Sequence, residues 1–285
     1  TKVLPSRIYG IKKETNAKIE VLLLKEIESD EWETLVRPQK RVKKGTVISF
    51  DTDFECVVTD VFNDGITHVK FNYKGIFLEH LNKVGAMPLP PYIHEKLKDN
   101  DRYQTVYAKN LGSAAAPTAG LHFTKELLEK IREKNVDILY VTLNVGLGTF
   151  RPVTEGDITH HDMHSEKYEI TEEVANKLNK AKEEKRRIIC VGTTSLRTLE
   201  ANYQKYNSFK STCEETDIFI YPPHEFKSCD ALITNFHLPK STLVMLVSAF
   251  SSVDIIMNAY KHAIENKYRF FSFGDAMFLT DKEVK

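Results

Sequence analysis

Hydrophobic positions follow two different periods along the chain, and the change falls near residue 85. Before it, short β-rich runs are separated by turn signals such as Asn-Asp-Gly at 63–65. These runs cover 17–24, 46–50, 54–62 and 67–73. Short strands at this spacing are typical of a small antiparallel β-barrel. The three prolines within 85–92 then exclude a helix, so we predict a small β-barrel domain over 1–83 and a second, larger domain over 84–285.

Beyond the prolines, helical periods alternate with strand periods. Helices are predicted over 123–134 and 171–187 with Thr124 and Thr171 as N-caps, then from residue 196 and, for about 25 residues, after 241. Predicted strands cover 137–145, 217–222, 231–236 and 268–273, and the stretch 188–195 is predicted as a buried strand that runs into a Gly-Thr-Thr-Ser turn. Such alternation predicts a mostly parallel sheet, open or curled, and therefore an α/β fold class.

Composition narrows the class of protein. Hydrophobic residues make up 41% and charged residues 28% of the chain, as in ordinary globular proteins, and no apolar run is long enough to span a bilayer. The four cysteines stand far apart without metal-ligand spacing, which suits a reducing cytoplasm. A formal net charge of zero argues against indiscriminate nucleic-acid binding.

One stretch departs from this neutral balance. Residues 37–45 carry five cations and no acid: Arg37, Lys40, Arg41, Lys43 and Lys44. From charge alone, a solvated loop face is the simpler interpretation, and an RNA contact is the alternative.

Candidate chemistry concentrates where strands run into helices, which is where α/β proteins bind ligands. Asn235 lies at the end of the strand 231–236, and the loop that follows holds His237 and Lys240. The loop after 188–191 places Thr194 and Ser195 at a helix N-terminus, as anion ligands or as a plain cap, with Arg197 close by.

Three further segments carry chemistry with open alternatives. Residues 112–124 are mostly small around Gly120 and include His122 near their end. They form either a loop that binds a ligand or a tight loop packed against the sheet. Residues 159–170 hold His160, His164 and Glu166, and we favour a polar substrate loop with His164 as proton carrier over a metal site. Residues 268–277 end in Asp275 after three phenylalanines, which either stack an adenine or fill the core.

Taken together, several motifs resemble one family, the S-adenosylmethionine:tRNA ribosyltransferase-isomerases of queuosine biosynthesis. They are APTAGLHFT, MHSE, VGTTSLRTLE, TDIFIYP, ALITNFHLPKSTLVMLVSAF and YRFFSFGDAM, and TKVLPSR at the start fits as well. The match runs in order from the first residue nearly to the last. Asn144 departs from it, because a histidine is expected there, and 221–226 departs from the usual Tyr-Pro-Gly turn.

The resemblance implies a reaction and its partners. S-adenosylmethionine serves as a co-substrate that donates its ribosyl group, and no permanently bound cofactor or metal is expected. The acceptor is the 7-aminomethyl-7-deazaguanine base at the wobble position of a tRNA, and the products are epoxyqueuosine-tRNA, adenine and methionine. A cytoplasmic monomer is expected.

The resemblance also implies a fold. A small β-barrel is set into a large, kinked-barrel-like α/β domain, to which the first few residues link. Relatives carry a further segment of the large domain before the position of Thr1, so we expect that segment to be missing from this chain.

The resemblance assigns roles to residues of the matched motifs. His122, His237 and Asp275 are the catalytic candidates, because the reaction needs a base at C5′ and an acid for the departing adenine. The substrate-binding candidates are Thr118, Gly120, His164, Glu166, Thr194, Ser195, Arg197, Asn235, Lys240 and Arg269. The five cations of 37–45 are the tRNA-binding candidates.

Three other functions stay open. A lyase or aldolase would use Lys240 as a Schiff-base lysine, which requires a desolvated amine. A non-catalytic RNA-binding module would use the β half alone. A methyltransferase is suggested only by the donor.

Overall fold

Two compact units make up the computed structural model, which describes residues 1–63, 65–90, 92–93, 97, 99–146, 163 and 165–280. One unit comprises Lys2–Asn100 and Leu111–Ala115, and the other comprises Thr1, Asp101–Asn110 and Ala116–Lys285. This grouping by contacts divides the chain after residue 100. The domain boundary after residue 83 stays a prediction.

The first unit is a closed antiparallel barrel. Its strands are β1 (Lys2–Val3), β2 (Arg7–Lys12), β3 (Lys18–Glu28), β4 (Glu31–Arg37), β5 (Val47–Asp51), β6 (Phe54–Val61), β7 (Ile66–Tyr73), β8 (Gly85–Ala86) and β9 (Leu111–Ser113), with helix α1 (Phe77–Val84). The order is β3-β4-β7-β6-β5-β2, and β2 pairs back with β3. Strand β8 adds to β2, while β1 and β9 form a separate parallel pair. The predicted small barrel is confirmed.

Alternation of side chains fills the barrel. On β6, Phe54, Cys56 and Val58 are buried, and the residues between them are partly exposed. The Phe54 ring lies 5.2 Å from that of Phe71 and 5.8 Å from that of Phe77 on α1, so the helix contributes to the same aromatic core. Strands β2 and β4 and helix α1 were not predicted, and each gains its order from pairing or packing.

The second unit mixes short sheets with helices. It contains α2 (Lys125–Glu133), β10 (Thr142–Leu143), β11 (Glu166–Ile170), α3 (Glu172–Glu183), β12 (Ile189–Val191), α4 (Thr193–Tyr206), β13 (Thr212–Thr216), β14 (Ala231–Asn235), α5 (Thr242–Phe250), α6 (Val253–Glu265) and β15 (Ala276–Thr280). The α/β class is confirmed.

Strand directions differ from the prediction of a mostly parallel sheet. Within the described part of this unit, β12 and β14 are the parallel pair, whereas β15 pairs antiparallel with β14 and β11 pairs antiparallel with β10 and β13. Strands β11, β13 and β15 are not among the predicted strands, and they make the antiparallel pairings of this unit.

The predicted helix starts at Thr124 and Thr171 are confirmed, because each side chain accepts a backbone N–H three residues on, at 3.1 Å and 3.4 Å. The long helix after 241 is in fact two, broken at Ser251, and Ser252 caps the second.

Two predicted strands are wrong. Residues 268–273 form a turn in which Phe271 has φ of 70°. Residues 217–222 form no strand either, because β13 ends at Thr216, whose hydroxyl oxygen accepts the Ile218 N–H. The predicted strand 137–145 forms only over Thr142–Leu143.

Within the described ranges, no single helix has the length and apolarity to cross a bilayer; α5 and α6 reach that mark only as a pair, bent by 114°.

Candidate active site

Two strand–helix junctions of the second unit meet at one edge of a sheet. Because β12 and β14 are parallel, with Val191 opposite Ile233, their carboxyl ends lie side by side. Gly192 begins the first junction with φ of 88°, and its N–H donates to the Ile233 carbonyl at 2.8 Å. A side chain is disfavoured there because few residues adopt this backbone conformation.

A third segment reaches the same edge through a histidine. His122 ends a 3-10 helix, Thr118–His122, and its Nε2 lies 3.0 Å from Nδ2 of Asn235, the last residue of β14. The same Nδ2 donates to the Phe271 carbonyl at 3.1 Å, which fixes the orientation of the amide. Since an amide nitrogen only donates, His122 Nε2 must accept. The neutral ring therefore carries its proton on Nδ1.

The charge state of His122 follows from its surroundings. Burial lowers its pKa, Arg269 adds to the lowering, and Asp275 opposes it. His122 is thus neutral at neutral pH. The Asn235 Oδ1 is buried and has no hydrogen-bond partner among the residues that the structure describes.

His237 occupies a different environment two residues along the chain. Its backbone N–H donates to the Tyr260 hydroxyl oxygen at 2.7 Å, and its Nε2 lies 2.9 Å from the Thr234 hydroxyl. Burial lowers the pKa of His237 to about 4 and raises that of Tyr260 to about 12. Both side chains are neutral at physiological pH.

Asp275 is held by a cation. Its carboxylate accepts from the Arg269 guanidinium at 2.9 Å and from the Arg269 backbone N–H at 2.7 Å, which closes the turn 269–275. The Arg269 side chain is the main cause of the lowered pKa of Asp275. The carboxylate is therefore ionised. In its present state it accepts protons only weakly.

The phenylalanines of this turn serve packing. Phe270 lies 4.9 Å from the Phe236 ring, and Phe273 lies 6.0 Å from Tyr103. Arg102 sits over the Phe273 ring at 5.6 Å. Core filling accounts for Phe270, while adenine stacking stays a prediction.

Two predicted substrate residues form a buried ion pair. Arg197 Nη1 donates to Glu166 Oε2 at 2.5 Å, and each residue is 4% exposed. Glu166 Oε1 accepts the Gly146 N–H at 3.0 Å. Nε and Nη2 of Arg197 have no partner within the described ranges. The pair joins α4 to β11.

Thr194 and Ser195 line a cavity of about 500 Å³. Its wall includes the rings of Tyr107 and Tyr140, 5.2 Å apart, and three cations: Lys109, Lys125 and Arg132. Tyr107 also explains Gly120, because a Cβ on that glycine would lie 2.0 Å from the tyrosine hydroxyl. Glu129 also lines it, so the cavity is a partly apolar, net cationic space at the N-terminus of α4.

The remaining predicted residues are not brought into either group. Lys240 is exposed, with φ of 56°, and the following Ser241 caps α5. Such an exposed amine does not favour a Schiff-base lysine. Thr118 begins the 3-10 helix that carries His122. His160 and His164 lie outside the described residues. In the described part of the chain, no three His, Cys, Asp or Glu side chains form a metal-ligand group.

The basic stretch of the first unit is an ordered loop. A 3-10 helix spans Gln39–Arg41, and Val42 is buried beneath it. All five cations are exposed, and Lys44 pairs with Asp60 at 3.1 Å.

Three residues of the site escaped the sequence reading. They are Tyr107, Thr234 and Tyr260. Each contributes its hydroxyl oxygen to the site. For Thr234, its position directly before Asn235 in the motif ALITNFHLPKSTLVMLVSAF was the available signal.

Comparison with known proteins defines the class. The family described as "Queuosine biosynthesis protein" matches residues 1–279. The chain belongs to this family, as its motifs led us to expect.

A solved structure of similar sequence is the S-adenosylmethionine tRNA ribosyltransferase of Thermotoga maritima. It is 38% identical, over 97% of this chain and 79% of that chain, with a TM-score of 0.46.

The low pKa of His237 predicts a pH dependence of stability. Its folded pKa of about 4 lies below the ordinary 6.5, so the unfolded chain binds more protons between these values. Stability therefore falls as pH drops through that window, by up to about 3 kcal/mol. Urea unfolding at pH 7 and 4.5 should show a smaller acid loss for His237→Gln than for the unmodified chain. Equal losses in both proteins would contradict this assignment.

Breaking the buried ion pair should be costly. Glu166→Ala leaves the Arg197 guanidinium buried without its counter-ion, which costs about 3–5 kcal/mol in urea unfolding. The exposed pair of Asp137 and Arg186 is the matched control, and Asp137→Ala should cost about 1 kcal/mol or less. Replacing both buried partners by Met should recover much of the loss. A Glu166→Ala loss no larger than the control would show that the pair is not desolvated.

Proposed function

We propose that this chain is an S-adenosylmethionine-dependent tRNA ribosyltransferase-isomerase. It transfers and isomerises the ribosyl group of S-adenosylmethionine onto the 7-aminomethyl-7-deazaguanine base at the wobble position of tRNA. The products are epoxyqueuosine-tRNA, adenine and methionine. Membership of the queuosine biosynthesis family supports the reaction class, and the neutral His122 held by Asn235 is the observation of this structure that carries it.

The reaction needs proton movements at two positions. The sulfonium acidifies the C5′ hydrogens, so a base removes a proton there and the electrons released expel adenine. The departing adenine then needs a proton. His122 fits stabilisation of the leaving group, because its Nδ1–H can donate a hydrogen bond to the departing adenine while Nε2 is held by Asn235. The proton that adenine takes up comes from solvent, to which the base returns the C5′ proton. His237 and Asp275 are the candidates for the base, and Asp275 can take that role only if substrate displaces Arg269 from its carboxylate.

A neutral His122 can donate a hydrogen bond from Nδ1 to the departing adenine, and its lowered pKa keeps the ring in this neutral form. The ionised pair of Asp275 and Arg269 supplies fixed charges to the same neighbourhood, since both act on the pKa of His122. A carboxylate near the site also favours the positively charged sulfonium.

The cavity at α4 is the second part of the proposal. Thr194, Ser195 and the cations of its wall favour an anionic group, either the methionine carboxylate or a tRNA phosphate. Arg197 supports this end of the helix through Glu166. The other proposed substrate contacts are Thr118, Gly120, His164, Asn235, Lys240 and Arg269.

The setting of the reaction is also part of the proposal. We place the protein in the cytoplasm as a monomer without a resident cofactor. The four cysteines support the cytoplasmic location alone, because all are free thiols.

Adenine release tests the reaction and the roles together. Incubated with S-adenosylmethionine and a tRNA carrying the aminomethyl-deazaguanine base, the protein should release adenine in proportion to modified tRNA. His122→Ala, His237→Ala and Asp275→Asn should each lower turnover at least about a hundredfold. Ile264→Ala, an exposed position on α6, is the control for handling.

The contrary outcomes are distinct. Unchanged rates for all three variants would remove these residues from the chemistry. Methylated RNA without adenine would instead indicate a methyltransferase. No adenine from folded protein would overturn the proposed reaction.

The basic loop predicts the salt dependence of tRNA binding. Each phosphate contact contributes about 0.7–0.9 to the slope of log K against log salt. The double variant Arg41→Ala, Lys43→Ala should flatten that slope by the amount that one to two phosphate contacts contribute. Lys44→Ala should change the slope less, because Asp60 already neutralises Lys44. An unaltered slope in the double variant would leave the loop as a solvated surface.

A further inference from the structure

An exposed aromatic pair lies at one end of the barrel. Phe62, which follows β6, is 43% exposed, and its ring lies 4.7 Å from that of His68 on β7, tilted by 58°. The ring is held in place, because the Phe62 N–H donates to the Ile66 carbonyl at 2.9 Å. The barrel core does not account for this ring, since its aromatic cluster is formed around Phe54.

The basic loop is fastened to the same hairpin. The Gln39 side chain donates to the carbonyls of Phe62 and Ile66 at 2.9 Å and 3.2 Å. Lys44 pairs with Asp60, two residues before Phe62. The loop and the aromatic pair therefore form one surface, which we call the Phe62 surface: Arg37, Lys40, Arg41, Lys43, Phe62 and His68.

The charge of this surface is unbalanced. Arg37, Lys40, Arg41 and Lys43 are exposed, and none pairs with an acid of the described residues. Three acids border the surface. Asp60 binds Lys44, Glu20 stands opposite Arg37 but pairs with Arg7, and Glu33 stands opposite His68 on β4. The four cations therefore outnumber the one acid, Glu33, that has no cation pair among the described residues. Four free cations beside an exposed ring are complementary to a polyanion that has exposed flat rings of its own.

We propose that the Phe62 surface binds the single-stranded loop of the tRNA, with one unpaired base stacked on Phe62 and the flanking phosphates on the four cations. Single-stranded nucleic acid is bound elsewhere by this combination of aromatic platforms and cationic grooves. Stacking tolerates any base, so this surface supplies affinity and position rather than sequence choice. The identity of the RNA rests on the proposed function.

Stacking and charge have different signatures in binding experiments. Phe62→Ala should weaken binding of a fluorescein-labelled anticodon stem–loop about tenfold, with the salt slope unchanged, because no counterion is released by a base. Phe62→Trp should retain the affinity. Ile76→Ala is the matched control, since Ile76 is 58% exposed beyond the other end of β7 and should bind as the unmodified chain does.

A second arm removes the base instead of the ring. A stem–loop whose loop positions are replaced one at a time by abasic sites should bind the unmodified chain less tightly at one position. Phe62→Ala should show no further loss at that position, because the two changes remove the same contact. Circular dichroism of each variant establishes that the barrel is folded.

The outcomes separate this proposal from the proposed function. The proposed stacking on Phe62 is wrong if Phe62→Ala binds the stem–loop as tightly as the unmodified chain does. It is also wrong if the loss of affinity caused by Phe62→Ala adds fully to the loss caused by every abasic site. Either result would contradict the stacking even if the unmodified protein releases adenine. If no adenine is released but the losses coincide at one position, the surface binds RNA and the proposed reaction fails alone.

Discussion

The amide of Asn235 is the contact on which the candidate site depends. One nitrogen at the end of β14 donates to the ring of His122 and to the carbonyl of Phe271, so it ties three segments that are distant in sequence. A second hydrogen bond joins the Phe271 turn to the end of β14, because the Phe271 N–H donates to the Phe236 carbonyl at 3.0 Å. Rotation of the amide would place an oxygen against a carbonyl and leave buried groups unpaired, at about 1–3 kcal/mol. The tautomer of His122 therefore follows from the backbone at Phe271.

Helix α4 shows how one element serves both structure and site. Its first turn presents Thr194 and Ser195 to the cavity, while Arg197 is buried against Glu166. One turn further, the buried carboxylate of Glu200 accepts from the Ser228 hydroxyl and N–H and lies 3.1 Å from the His224 ring. Because these contacts hold the helix from the inside, its N-terminus is rigid where a ligand would meet it.

Closure of the barrel has a comparable effect on the basic loop. With β2 paired to both β3 and β5, the six strands leave no long edge exposed, and loops between them start and end at fixed points. Val42 and Thr46 are buried beneath the loop, and Gln39 bonds it to the neighbouring hairpin. An ordered loop loses little conformational entropy when it meets a polyanion, which favours binding.

Sequence by itself determined the classes of element and the chemistry present. Period-2 runs defined four barrel strands, Thr124 and Thr171 defined helix starts, and the motifs around His122, Thr194 and Asn235 defined the family. These features are local, so neighbouring residues decide them. Tertiary structure decided the rest: that β13 returns to β11, that the Phe271 turn replaces a strand, and that Asn235 meets His122. It also decided that Arg197 faces Glu166 and that burial keeps His237 neutral. Each depends on groups far apart in the chain, whose distances and desolvation exist only once the chain is folded.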